Sequence, residues 1–114
     1  MQLMPRGRAA RLEAAVMGGA ILVAGPRFAY RTETGRVHED GQPGPLHDLL
    51  GIGLLNVDGM CPGIGCAAGG HRVETWAEAY RLDGAQALAR YDDGPLAGEA
   101  AVTRHGNAIA VGAW

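Results

Sequence analysis

The side chains best able to do chemistry cluster near the middle of the sequence. Cys61 and Cys66 flank Pro62-Gly63-Ile64-Gly65, and His71 follows shortly after. Two thiolates and an imidazole are the start of a zinc site, but tetrahedral zinc needs a second ligand pair at comparable spacing, and the sequence has none. Two Cys in a chain of this size also do not make a disulfide framework. A nucleophilic thiol is the next possibility. Class I glutamine amidotransferases hold their Cys in a Gly-x-Cys-x-Gly elbow, whereas the positions two before and two after Cys66 are Ile64 and Ala68. Cys61 has Gly59 before it, but Gly63 follows a proline. The His-x-Glu partner of such enzymes is missing too, because His38 and Glu39 are adjacent. A small thiol enzyme using Cys66 stands as the alternative reading.

The remaining candidates resolve more simply. Gly51-Ile52-Gly53 and Gly63-Ile64-Gly65 each lack the last glycine of a dinucleotide fingerprint. Glu39-Asp40 and Asp92-Asp93 are adjacent acids in turns, where carboxylates satisfy nearby backbone N–H groups or face water. Glycoside hydrolysis needs two carboxyls held apart across a sugar on rigid elements, and nothing in the spacing arranges that. His105, between Arg104 and Gly106, reads as a turn residue. Trp76 and Trp114 offer rings on which a sugar could stack, which gives a second alternative, a sugar-binding module. All ten basic residues are Arg, and without Lys there is no Walker-type phosphate loop, Schiff-base lysine or Ser–Lys dyad. The expectation is therefore a chain with no catalytic, cofactor-binding or metal-ligating residue.

The elements that position these side chains fall into two parts. In residues 1–58, Ala9, Leu12, Ala15 and Val16 recur at helical spacing between Arg8 and Met17, and Gly18-Gly19 stops the helix. Ala20-Ile21-Leu22-Val23-Ala24 is continuously apolar and ends at Gly25-Pro26, which predicts a central parallel strand covered by helices on both faces. Helix, Gly-Gly, buried strand, Gly-Pro is half of a doubly wound unit, so the predicted class is α/β. Residues 27–44 form a long polar loop or packing arm. Leu46, Leu49 and Leu50 make a short helix stopped at Gly51, with Pro45 in its first turn, and Ile52–Val57 a further strand. Residues 59–70 predict a loop with little to pack. In residues 71–114, short runs at Arg72–Thr75, Glu78–Leu82, Ala87–Tyr91, Ala100–Arg104 and Ala108–Val111 alternate with turns, which predicts an antiparallel meander.

Bulk properties bound the function. A chain of 114 residues is one domain at most, and 47% hydrophobic with 19% charged residues suits a globular chain. A net charge of −2 gives no general attraction to nucleic acid. Arg6, Arg8 and Arg11 before the apolar stretch resemble a signal peptide superficially, but Glu13 and Gly18-Gly19 break the pattern and the run is too short to span a bilayer. The expectation is no membrane, and the cytoplasm.

Ordered segments carry a family resemblance. Gly18–Arg27 (GGAILVAGPR), Glu33–Val37 (ETGRV) and Pro43–Gly51 (PGPLHDLLG) resemble the middle domain of glycoside hydrolase family 42 β-galactosidases. So do Trp76-Ala77-Glu78, Ala87–Tyr91, Gly98 and Ala101–Arg104. The resemblance implies a flavodoxin-like, class I glutamine-amidotransferase-like domain that mediates trimer formation, here as a partial copy with an antiparallel C-terminal meander. It implies homo-oligomer partners and a separate (β/α)₈ barrel holding both catalytic Glu residues. On that reading the chain is a non-catalytic oligomerisation or scaffold portion of an enzyme that hydrolyses terminal β-galactosides.

Overall fold

The computed structural model describes residues 2–61, 63 and 65–114. Its frame is one mixed six-stranded sheet with a single layer of helix on one face, plus a two-stranded hairpin. The molecule measures 40 × 30 × 19 Å, and this small thickness fits a sheet with helix on one face only rather than a three-layer doubly wound domain with helices on both.

Helix α1 spans Arg6–Met17 and turns Ala9, Leu12 and Val16 inward, while Ala15 stays exposed. Gly18 N donates to Ala14 O and Gly19 N to Val16 O, so Gly19, at φ 104°, closes the helix in a backbone conformation that suits glycine. Strand β1 is Leu22–Ala24. It pairs in parallel with β8 (Ala108–Val111) and lies at the end of the sheet order β1-β8-β7-β5-β2. The predicted central strand, covered on both faces, is thus corrected to an edge strand with one face bare. Ile21 is 72% and Val23 62% exposed, because α1 covers only the side on which Ala24 sits.

The other strands are β2 (Ile52–Gly59), β3 (Cys66–Ala68), β4 (His71–Val73), β5 (Trp76–Leu82), β6 (Gln86–Arg90) and β7 (Ala100–His105). Apart from the β1–β8 pair, they all run antiparallel. The second half is more woven than a plain meander. β5 passes over β6 to pair with β7 at Tyr80–Ala100 and with β2 along its whole length. The strands predicted from alternation are present within a residue or two. The loop predicted for 59–70 is corrected at its C-terminal end, where Cys66–Ala68 and His71–Val73 form a hairpin. Gly69 and Gly70 both have positive φ (56° and 81°), which matches the two-residue turns that follow strand twist. Cys66 and Ala68 point inward as alternate residues, so two small side chains suffice to pack it.

The core has two parts on opposite sides of the sheet. The larger gathers Met4, Ala9, Ala24, Leu46, Leu50, Ile52 and Tyr80, and the smaller gathers Cys66, Val73, Ala77, Ala79, Tyr91 and Leu96 beneath the hairpin. Each of the large aliphatic side chains contributes roughly 1.5–3 kcal/mol by leaving water. The long arm 27–44 is irregular, as expected, and ends in a 3₁₀ turn at Gly44–Leu46 and the one-turn helix α2, His47–Leu50. Among the described residues, no helix is long and apolar enough to cross a membrane.

Candidate functional site

Strand β5 reads Trp76-Ala77-Glu78-Ala79-Tyr80, so the period of two sets Trp76, Glu78 and Tyr80 on one face and two alanines on the other. Trp76 Nε1 donates to Glu78 Oε1 at 2.8 Å, and the Tyr80 hydroxyl donates to Oε2 at 3.0 Å. From the far side, where β1 ends at Gly25-Pro26, the Arg27 backbone N–H and the Tyr30 hydroxyl each donate to Oε1 at 2.7 Å. Glu78 is only 2% exposed. A buried carboxylate costs several kcal/mol in lost hydration, and four donors are what offset that cost here.

The same contacts hold an unusual turn. Arg27 (φ 60°) and Ala29 (φ 55°) both adopt left-handed backbone without being glycine, at a cost of about 1 kcal/mol or more each. Ala29 is fully buried, which pins the turn from beneath, while the Arg27 side chain is exposed above it. Its guanidinium lies 5.2 Å from the centroid of the Trp76 ring. With the Gln2 amide oriented to suit its neighbours, the Gln2 oxygen accepts from Nε and Nη2 of Arg27 at 2.9 Å each. Gly112, directly after β8, closes the site. A Cβ there would stand 2.4 Å from Glu78 O, so only glycine permits the close approach.

The arrangement is a clamp rather than a reaction centre. Burial, reinforced by the Glu78 charge and hydrogen bond, holds the Tyr30 and Tyr80 hydroxyls well above the usual phenol range. They are donors at every physiological pH and cannot act as bases. Gly25, Phe28, Tyr30, Leu50, Ile52 and Glu78 contribute to the wall of a cavity of about 20 Å³. That is room for about one water molecule, and far too little for a sugar. Among the described residues, no second buried carboxylate faces Glu78, so the opposed pair of a glycosidase is not assembled around it.

The residues singled out in the sequence are not brought together. Cys66 is buried under the hairpin and Cys61 is exposed, both as free thiols, and burial pushes the Cys66 thiol up, away from the nucleophilic thiolate. His71 is exposed at the start of β4. No group of three His, Cys, Asp or Glu among the described residues is placed to hold a metal. Pro62 and Ile64, within the Cys61–Cys66 segment, lie outside the described residues. Asp92 and Asp93 accept from the backbone N–H groups of Gly70 (2.8 Å) and Ala67 (2.7 Å), which caps the hairpin. Glu39 and Asp40 are exposed in a turn. His105 Nδ1 is 3.1 Å from Leu49 O and packs on Gly51, the left-handed residue that ends α2. Trp76 is not a free platform, since Arg27 covers one side of the ring and Glu78 takes its N–H. Trp114 is 72% exposed, beside Leu88, Val102 and Val111 in a shallow groove. The Glu78 clamp itself escaped the sequence reading. Its only local sign was alternation of Trp, Glu and Tyr along one strand face.

Comparison with known proteins gives the family. The model of the β-galactosidase trimerisation domain matches residues 1–114. The chain is 33% identical over 122 aligned positions, with all of the chain covered, to the β-galactosidase BgaB of a Geobacillus species, and covers 18% of that protein. It is 40% identical over 77 residues to the β-galactosidase LacZ of Heyndrickxia coagulans, covering 64% of the chain and 12% of that protein. Among solved structures, a β-galactosidase from a Rahnella species superposes with a TM-score of 0.94 at 28% identity, over 99% of this chain and 19% of that one. The β-galactosidase of the haloarchaeon Halorubrum lacusprofundi gives 0.91 at 29% identity, over 99% and 18% respectively. The chain thus spans less than a fifth of the length of these relatives.

Proposed function

Since this chain belongs to the β-galactosidase trimerisation-domain family, we propose that it works as a non-catalytic contact layer, joining copies of a β-galactosidase. Hydrolysis of terminal β-galactosides belongs to a catalytic barrel elsewhere in that enzyme, by a retaining route that needs two carboxylates. The observation that carries this reading is the family match along the entire chain. The locked state of Glu78 supports it, because a carboxylate saturated by four donors has no role to play in bond breaking. The elevated, buried Cys66 thiol weighs against the amidotransferase-like alternative. On this reading the α1–β1 unit is the part of a flavodoxin-like layer present in this chain, residues 1–58 are its α/β portion and residues 71–114 its mostly β portion. The site of action is the cytoplasm.

The test is an assay of the purified chain with a chromogenic β-galactoside, together with its mass by light scattering. The expected result is no hydrolysis above the buffer rate and a mass above that of a monomer. Hydrolysis by the chain alone would overturn the assignment of catalysis elsewhere.

A further inference from the structure

We infer that the Arg27–Trp76 stack, set on the Glu78 clamp, is an anchor of the contact between copies, taking a carboxylate from a second copy of this chain. The inference rests on the oligomerisation reading and adds to it a location and a partner chemistry.

Three observations lead there. First, the turn that presents Arg27 is strained at two non-glycine residues, and the strain is maintained by a buried carboxylate and a buried alanine. A fold selected for stability alone would relax such a turn with glycine, so its shape is being kept for what it displays. Second, what it displays is an exposed guanidinium already ordered on both sides. Trp76 lies against one face and Gln2 occupies Nε and Nη2. Of five N–H donors, three stay available, in a planar group suited to gripping a carboxylate. Arginine and tryptophan are also the residue types that dominate contact energies, and an ordered side chain loses little further freedom on docking. Third, the chain supplies the complementary charge. Acids outnumber bases by 12 to 10. Glu33, Glu39 and Asp40 are exposed and their side chains make no hydrogen bond or salt bridge that involves another described residue. A three-fold ring is built from two different patches on each copy, one donating and one accepting, and an ordered cation on one copy meeting an acid on the next fits that requirement.

Sedimentation equilibrium of the chain over a wide concentration range, at low and high salt, tests this with Arg27→Ala and Arg27→Lys. Arg27 is exposed and its bond to Glu78 is made by the backbone N–H, which both variants keep, so the fold is retained, which the far-ultraviolet signal and a cooperative melt check. Arg27→Ala is expected to raise the association midpoint by about tenfold or more, with Arg27→Lys in between, and added salt should weaken the wild type more than Arg27→Ala. An unchanged midpoint in Arg27→Ala, with the wild type still associating, overturns the anchor and leaves the oligomerisation reading standing. A wild type that stays monomeric at every concentration overturns both.

Discussion

At the scale of single residues, the energetics concentrate on Glu78. Its carboxylate joins β5 to the turn after β1, and its backbone oxygen accepts from the buried Tyr91 hydroxyl at 2.8 Å. Truncation to alanine strands two aromatic hydroxyls, an indole N–H and a backbone N–H, so Glu78→Ala should lose about 3–5 kcal/mol in a urea titration. Glu78→Gln keeps an acceptor for three of the donors and should lose less. A loss below about 1 kcal/mol for the alanine variant would show that water replaces the clamp without penalty. A second residue sets pH dependence. His47 bonds to Asp48 (2.8 Å) and Asp83 (3.0 Å), and these two hydrogen bonds raise its pKa. Arg81 and His47 hold the Asp83 carboxyl down to about 2. A group raised on folding stabilises fully below its unfolded value of roughly 6.5 and loses that contribution as pH climbs through the raised value. A group depressed on folding does so above roughly 3.9 and loses it as pH falls toward 2. Stability should thus decline on both sides of a window from about pH 4 to 6.5. His47→Gln should flatten the alkaline side in melts run across pH. An unaltered alkaline slope in that variant would remove His47 as its source.

At the scale of elements, legibility followed local chemistry. The short helix ending at Gly51 was readable because its cap is a single-residue requirement. Gly51 sits at φ 62°, and a Cβ would approach Ala85 N to 2.8 Å. Gly51→Ala should accordingly lower stability by about 1–2 kcal/mol in thermal or urea unfolding, and a neutral result would mean the turn relocates. The β strands of the second half were readable from alternation. What could not be read was partnership. The apolar run before Gly25 looks identical whether it is central or at an edge, since continuous hydrophobicity reports what each face can tolerate and not how many neighbours it has. Likewise Cys66 and Ala68 are too small to signal a strand by side chain, and the hairpin owes its turn to two glycines and its cap to Asp92 and Asp93, more than twenty residues away. The clamp was invisible for the same reason, because Arg27, Tyr30 and Glu78 converge only once β1 and β5 share a sheet. The bare face has its own consequence. In the register, Val23 lies beside Ile109, and this apolar pair sits next to the unpaired edge of β1. Val23→Lys should raise the solubility limit of the chain without lowering its melting temperature, as charges on edge strands do elsewhere. Precipitation at the same concentration as the wild type would exclude this edge as the cause of aggregation.

At the scale of the whole molecule, the chain is a thin slab whose most elaborate interior polar network supports a surface rather than a pocket. That is the design of a piece whose work is done by contact, and it agrees with a family defined by trimer formation. If the proposed function holds, activity and assembly separate between this layer and the rest of a β-galactosidase. The most direct measurement is the molar mass of the purified chain by sedimentation equilibrium across a thousandfold range of concentration. Three times the monomer mass at the upper end, dissociating on dilution, is the predicted result. A constant monomer mass throughout, from a chain that melts cooperatively, would contradict it.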